Sequence, residues 1–390
     1  MKQALFVLFC LTLCALPAQA AAAEEKGEAS IPLATEADLL AADAAIKAQP
    51  TAPNYIRRAE LLSEVHEHER ALADLQKAFE LDKDPQTLVL VGLEHYYLDK
   101  PDEEIKSYDA ALKIDPGHAG ALAARARALA DAERWDEAIA AYDRAIGADP
   151  DNAMLHLGKG WVLSKVDQTK LARASYDKAV KLEPKSAHAW YHRGLFLAEA
   201  GNGKEALESY DKALRNDPRH EDALIARAEV LAELDRQDAA MIAFDVALQT
   251  APKSAAVRTA RGDYFQDYRE EDEAAIKEYD EALVLDSTLR WAFYRRGTAY
   301  ASLGRYDRAI RDYNASLRLK PDYAWAIMRK GEAYHDLEDL LLARDQYDAA
   351  LKLEPELGRA YKLRALVRRK LGDSAGADSD EAMAKKLDAE

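Results

Sequence analysis

Residues 187–220 read AHAWYHRGLFLAEAGNGKEALESYDKALRNDPRH, and the spacing within this stretch recurs along most of the chain. Its landmarks are Trp190, Gly194, Ala206, Tyr210, Ala213 and Pro218. The prolines show the period most directly, with intervals of about 34 residues between Pro116, Pro150, Pro184, Pro218 and Pro252, and again between Pro321 and Pro355. Such a period indicates a repeat architecture, in which each copy packs against its neighbours and not around one central core.

The spacing of apolar residues within each copy predicts two helices. In the first, Trp190, Gly194 and Leu197 share one face at i, i+4 and i+7, and a second such face follows about sixteen residues later. The copies begin near Ala52, Pro85, Ala119, Ala153, Ala187, Glu221, Ala255, Arg290, Ala324 and Gly358. We therefore predict an all-α solenoid with nine repeats over residues 52–357 and a degenerate tenth copy over 358–390, where Glu381 replaces the aromatic residue.

The composition narrows the possible partners. A formal net charge of −16 disfavours binding to phosphate backbones, so nucleic acid is not expected as a partner. The two cysteines, Cys10 and Cys14, lie near the start of the chain. If that segment is removed, the mature chain has no disulfide, no cysteine-ligated metal and no thiol nucleophile.

The first residues are typical of a secretion signal. Lys2 precedes an apolar run over residues 5–16, and Ala18-Gln19-Ala20 fits a cleavage site, so residues 1–20 are predicted to be a secretory signal peptide. An uncleaved anchor and a lipoprotein modified at Cys14 are the alternatives. Residues 21–35 are predicted to form a disordered linker, and residues 36–50 a helix that either caps the array or docks into its groove. We expect a periplasmic, exported bacterial protein without a membrane span.

The eighth copy carries a specific family resemblance. Tyr300, Leu303-Gly304, Tyr306, Ala309, Tyr313 and Pro321 resemble the motif of the tetratricopeptide repeat family, and the resemblance covers residues 52–390. It implies a right-handed superhelix of antiparallel helix pairs, whose first helices line a concave groove that binds peptides or partner proteins. Departures from the motif occur at Ser316, at Ser287 and in the second copy, at Pro101 and Glu104.

A ladder of charges runs through the copies. One position of the first helix is basic in nine of them: Arg58, Arg125, Lys159, Arg193, Arg227, Arg261, Arg296, Lys330 and Arg364. One position of the second helix is aspartate in seven: Asp109, Asp143, Asp177, Asp211, Asp245, Asp280 and Asp348. A basic stripe for an anionic polymer is one interpretation. We favour an ion-pair ladder between packed helices, because a binding site rarely needs so many equal copies with matching counter-charges.

Binding residues are expected where the copies differ. At the groove positions of the family, the third copy is nearly bare, whereas later copies carry aromatic and acidic side chains. The predicted ligand-binding residues are Tyr191, Glu229, Asp263, Trp291, Tyr294, Trp325 and Glu332. Aromatic rings beside carboxylates suit an extended ligand with apolar or cationic side chains. The alternative is that Trp291 and Trp325 simply pack against neighbouring helices.

No pattern for catalysis or a cofactor is present in the sequence. It contains no G-x-S-x-G, no glycine-rich phosphate loop and no H-E-x-x-H, and His66-Glu67-His68-Glu69 falls in a turn where the side chains do not converge on a metal. We predict a non-enzymatic scaffold for envelope assembly that binds a protein partner or peptide segment and has no catalytic residue, metal or cofactor. The alternative is a polysaccharide-binding or exopolysaccharide-export accessory protein, with Trp291, Tyr294 and Trp325 stacking on sugars.

Overall fold

The computed structural model describes residues 34–389, and every regular element in that range is an α-helix. The predicted signal over residues 1–20 and residues 21–33 of the predicted linker lie outside the described residues. No helix within the described range is long and apolar enough to cross a bilayer. The predicted all-α fold class is confirmed.

The helices are short and follow one another with brief turns. In chain order they are α1 (Glu36–Ala48), α2 (Ala52–Glu64), α3 (His68–Asp82), α4 (Pro85–Tyr97), α5 (Pro101–Ile114), α6 (Ala119–Asp131), α7 (Trp135–Ala148), α8 (Ala153–Lys165), α9 (Thr169–Leu182), α10 (Ala187–Glu199), α11 (Gly203–Asn216), α12 (Glu221–Glu233), α13 (Gln237–Thr250), α14 (Ala255–Tyr268), α15 (Asp272–Leu285), α16 (Arg290–Ser302), α17 (Tyr306–Leu319), α18 (Ala324–Asp336), α19 (Leu340–Leu353), α20 (Gly358–Lys370) and α21 (Ser374–Ala389). From α2 onward, even-numbered helices are the first helices of the copies and odd-numbered helices the second.

The chain divides between Gly201 and Asn202 into an N-terminal and a C-terminal compact unit. Within each unit, a helix packs against the next one in the chain, and the first helices of neighbouring copies also contact one another. We call the side formed by these even-numbered helices the first-helix face of each unit. It is the side on which the family resemblance places ligand binding.

Local sequence explains where the helices begin and end. Several first helices are capped by a polar side chain that accepts a backbone N–H; for example, the Ser186 hydroxyl accepts from the amide of Ala189 at 3.1 Å. Gly304, which follows α16, adopts the left-handed conformation that glycine permits, with a φ of 69°. Other copies make the same turn with residues such as Glu133 and Asp235, at φ values of 56°.

The core repeats one contact, a glycine of the first helix against an aromatic ring of the second. In the ninth copy the Tyr347 ring is completely buried, and a Cβ added at Gly331 would lie 2.7 Å from Tyr347 Cε1. Gly262 with Tyr279, and Gly297 with Tyr313, repeat this arrangement. The absence of a side chain on one helix therefore makes room for the aromatic side chain of the other.

The charged ladder forms ion pairs between copies. Seven of the nine basic side chains reach the aspartate of the second helix in the preceding copy, as in Arg193 Nε to Asp177 Oδ1 and Arg227 Nε to Asp211 Oδ1, both at 2.7 Å. Equivalent pairs are Arg125–Asp109, Lys159–Asp143, Arg261–Asp245, Arg296–Asp280 and Arg364–Asp348. These contacts support the structural interpretation of the ladder and not the basic stripe.

Helix α1 stands where the second helix of a preceding copy would stand. Its Asp43 Oδ1 accepts from Arg58 Nη1 at 2.6 Å, which is the contact that the ladder aspartates make elsewhere. The Asn54 amide also ties the two helices, donating to the carbonyl of Gln49 at 2.8 Å. Because α1 packs on α2 in this way, it covers the end of the N-terminal unit.

Candidate functional site

The structure distributes the predicted binding residues over both units. Tyr191 lies on α10 of the N-terminal unit. The other six lie on first helices of the C-terminal unit: Glu229 on α12, Asp263 on α14, Trp291 and Tyr294 on α16, and Trp325 and Glu332 on α18. These six therefore belong to the first-helix face of a single unit.

Asp263 is the centre of a hydrogen-bonded cluster. Its Oδ1 accepts from the Tyr279 hydroxyl at 2.6 Å and from Arg295 Nε at 2.7 Å, and its Oδ2 accepts from Trp291 Nε1 at 3.1 Å. Arg295 Nη2 also lies 2.6 Å from Asp267 Oδ1. Burial, followed by the charge of Asp263, raises the pKa of Tyr279, so its phenol remains a proton donor. Asp263 thus connects α14, α15 and α16, and its carboxylate is already occupied by donors of this chain.

Two tryptophan rings remain open on the first-helix face. Trp291 is 41% exposed although its indole N–H is bonded to Asp263, and Trp325 is 40% exposed. Neither ring is fully covered by neighbouring helices. These two indoles are the largest open apolar surfaces among the predicted binding residues.

Tyr294 has a different place from the one the sequence suggested. It is only 7% exposed, and its ring packs at 5.3 Å from that of Tyr323 and 6.1 Å from that of Tyr313. The neighbouring tyrosines cover it, so Tyr294 offers the groove little surface. This is a correction to its interpretation as a groove residue.

Glu332 is held by two arginines. It accepts from Arg329 Nη1 at 2.9 Å on its own helix and from Arg359 of α20, with Nε at 3.0 Å from Oε1. Its charge is therefore balanced within the chain, and its carboxylate links the ninth and tenth copies.

An acidic segment lies on the same face, around α12 and α14. Tyr268 is 41% exposed, and its pKa is raised by burial and then by the charges of Glu233, Asp267 and Glu229. The negative charges of the three carboxylates therefore act on an accessible phenol. Sequence reasoning identified Glu229 as a binding residue but missed Tyr268, which sits at the end of α14, a helix one residue longer than most first helices.

In the N-terminal unit the third copy contains a buried arginine that the sequence analysis did not single out. Arg127 of α6 is buried, donates from Nη1 to Asp131 Oδ2 at 2.9 Å, forms a second ion pair with buried Glu104, and lies 4.7 Å from the centre of the Tyr96 ring. The i, i+4 spacing of Arg127 and Asp131 is the signal that could have revealed it. Tyr191, farther along this unit, is half-buried beside the His192 ring.

His68, from the His66-Glu67-His68-Glu69 sequence, is the first residue of α3 and forms a polar contact between the first two copies. His68 Nδ1 lies 2.9 Å from Glu94 Oε2, and its ring stacks on Tyr97 with 4.7 Å between the centres. Within residues 34–389, no group of three or more His, Cys, Asp or Glu side chains is placed to hold a metal ion.

Three family models match the sequence, and each is described as a tetratricopeptide repeat. One matches residues 89–153, 123–168, 157–221 and 197–255, and the other two match residues 291–323 and 326–357. Comparison with curated proteins gives no match.

Several solved structures are similar to this chain. A tetratricopeptide repeat protein from Parabacteroides merdae ATCC 43184 is 16% identical, with a TM-score of 0.51 over 66% of this chain and 98% of that chain. Yeast Tom70 is 13% identical, with a TM-score of 0.49 over 86% and 92% of the two chains. PilW, a widely conserved type IV pilus biogenesis factor, is 22% identical, with a TM-score of 0.48 over 51% and 92%.

The repeat period, the helix pairs and the matching family models agree with one another. The matches together extend over more than half of the chain. The family is generally non-enzymatic. The chain belongs to the tetratricopeptide repeat family, a family of protein–protein interaction scaffolds.

Proposed function

We propose that this protein is a non-enzymatic scaffold that binds an extended segment of a partner protein along the first-helix face of its C-terminal unit. We place it in the bacterial periplasm, in envelope assembly. The periplasmic location rests on the signal-like sequence of residues 1–20. It is tested by fractionating cells that express the chain with and without residues 2–20. Recovery of both forms from the same compartment would refute it.

The observation that carries the proposal is the pair of open indole rings on this face. Trp291 and Trp325 are 41% and 40% exposed and lie on the first helices of consecutive copies. Exposed aromatic residues are frequent anchors of protein interfaces, because a large apolar area is buried there at low cost in side-chain entropy.

The acidic residues elsewhere on the first-helix face of this unit indicate what kind of segment binds. Tyr268 is exposed, and the negative charges of Glu233, Asp267 and Glu229 act on its phenol. A cation is attracted both by carboxylates and by aromatic faces. We therefore infer a partner segment that carries apolar and basic side chains, and whose ordering on binding accounts for most of the entropic cost.

Site-specific photo-cross-linking tests the location of binding. The photoreactive residue p-benzoylphenylalanine replaces Trp325 in one variant. In the control it replaces Ile242, which is 63% exposed on α13, a second helix. We expect a discrete adduct with one envelope protein at position 325 and none at position 242. Equal labelling at both positions would contradict binding on the first-helix face.

A polysaccharide is the alternative ligand, because exposed indole rings also stack on sugars. A glycan array probed with the wild-type chain and with Trp325→Ala separates the two. Retention of one glycan class that is lost in the variant would favour the polysaccharide. Absence of glycan binding, together with the adduct at position 325, would favour the protein segment.

A further inference from the structure

A cavity of about 180 Å³ opens between α16 and α18 on the first-helix face. Its polar lining consists of Thr298, Ser302, Tyr313, Arg329, Glu332 and Asp336. Since a water molecule takes up about 30 Å³ of liquid volume, there is room for several heavy atoms, such as the end of one long side chain.

The charges of the lining are unequal. Arg329 and Glu332 form an internal pair at 2.9 Å, and Arg359 approaches Glu332 from α20 without lining the cavity. Asp336 is exposed, and none of the residues between 34 and 389 forms an ion pair with it. The cavity therefore carries one carboxylate that no basic group within residues 34–389 pairs with.

A buried hydroxyl without a partner within residues 34–389 belongs to the same copy as Glu332 and Asp336. Tyr347 is completely buried, and its hydroxyl has no hydrogen-bond partner among the described residues. Burial raises the pKa of Tyr347 most, and the charges of Glu332 and Asp336 raise it further. The ninth copy thus carries, on its second helix, a buried phenol oxygen that is able to accept a hydrogen bond and has no partner among the described residues.

We propose that this cavity binds the basic side chain of a lysine or arginine from the partner segment, with Asp336 as its counter-ion. This inference rests on the proposed function and adds the identity of one side chain. The methylene stem of such a residue would pass the Ala301 and Ala333 walls while its charged end reaches Asp336.

Other side chains fit less well. A carboxylate would be repelled by Glu332 and Asp336, whose two negative charges outnumber the single positive charge of Arg329 in the lining, although the buried Arg329 Nε has no hydrogen-bond partner among the described residues. A purely apolar side chain would desolvate Asp336 and the hydroxyls of Thr298 and Ser302 without replacing their contacts with water, which is unfavourable.

The test uses small blocked amino acids as probes. The full chain is labelled at its alanine methyl groups and titrated with N-acetyl-lysine methylamide, and in parallel with the norleucine and glutamate analogues. We expect the methyl signals of Ala301 and Ala333 to shift in a saturable manner with the lysine compound. The norleucine and glutamate compounds should leave these signals in place.

Substitution of the proposed counter-ion completes the experiment. Asp336→Asn should weaken binding of the lysine compound about tenfold, as expected for the loss of a charged hydrogen bond. Asp322→Asn, the same change at an exposed carboxylate outside the cavity, should leave binding unaltered. The proposal is overturned if the lysine compound causes no shifts, if the norleucine compound causes equal shifts, or if the glutamate compound binds better. It is also overturned if the Asp336→Asn variant binds the lysine compound as the wild type does. If the adduct at position 325 persists in any of these cases, the proposed function stands without this inference.

Discussion

Gly331 shows how a residue without a side chain allows the two helices of one copy to pack closely. A Cβ there would lie 2.7 Å from Tyr347 Cε1 and 3.0 Å from Cδ1. Gly331→Ala should therefore force the buried ring to move and lower the free energy of unfolding by about 1–3 kcal/mol. Urea denaturation measures this change.

Gly147 provides the matched control for that substitution. It also lies in a helix, but nothing is found within 4 Å of the position its Cβ would take. Gly147→Ala should raise stability by about 0.5 kcal/mol, because alanine loses less backbone entropy in a helix. If the two substitutions have the same effect, the repeated glycine–tyrosine contact is not what determines the glycine positions.

Lys330 is a ladder residue whose counter-ion is missing. The position that is aspartate in seven copies is Asn314 in the preceding copy, and burial lowers the pKa of Lys330 below its ordinary value of 10.5. Asn314→Asp should restore the pair and stabilise the chain by roughly 0–1 kcal/mol, an increment that high salt reduces. The same substitution in a Lys330→Met background should give no gain, and equal gains in both backgrounds would exclude an ion pair.

The pH dependence of this effect has a definite sign. With a folded pKa below 10.5, the unfolded state binds more protons, so the contribution of Lys330 makes stability rise as pH increases toward 10.5. Asn314→Asp should reduce that rise. The free energy of unfolding of the wild-type chain and of the Asn314→Asp variant, measured at neutral and at alkaline pH, checks this expectation.

At the scale of elements, Asp263 of α14 connects three helices through hydrogen bonds. It receives hydrogen bonds from Tyr279 of α15 and from Trp291 and Arg295 of α16. Asp263→Asn should lower the free energy of unfolding by about 1–3 kcal/mol. It should also increase amide hydrogen exchange in α14, α15 and α16 together, with Asp322→Asn as the control. Unchanged stability with a lost adduct at position 325 would instead identify Asp263 as a ligand-binding residue.

The helices could be predicted because the residues that determine their packing recur in successive copies. The contacts of Gly331 with Tyr347 and of Arg193 with Asp177 appear in several copies, so a period in the sequence is enough to indicate them. The site depends on residues that occur once. Trp291 and Tyr294 are three residues apart on one helix, yet the first is open and the second is buried beneath Tyr323. Periodicity does not report such differences, which arise from neighbours in other helices.

At the scale of the whole molecule, stability in a repeat array is a sum of local terms between neighbours. Removal of residues 358–390 deletes α20 and α21 and exposes Met328, Tyr347 and Leu351, which are buried in the apolar cluster they share with the tenth copy. It also removes the ion pair of Arg364 with Asp348. The truncated chain should therefore lose stability in the C-terminal unit and retain it in the N-terminal unit.

The five tryptophans allow the two units to be followed separately. Trp135, Trp161 and Trp190 lie in the N-terminal unit, and Trp291 and Trp325 in the C-terminal unit. In a chain whose first three tryptophans are changed to phenylalanine, the truncation should lower the midpoint of the fluorescence transition. In a chain that keeps only Trp135, Trp161 and Trp190, the truncation should leave the midpoint unchanged, because the contacts it removes all lie in the C-terminal unit. Equal shifts in both chains would mean that the array unfolds as one cooperative block.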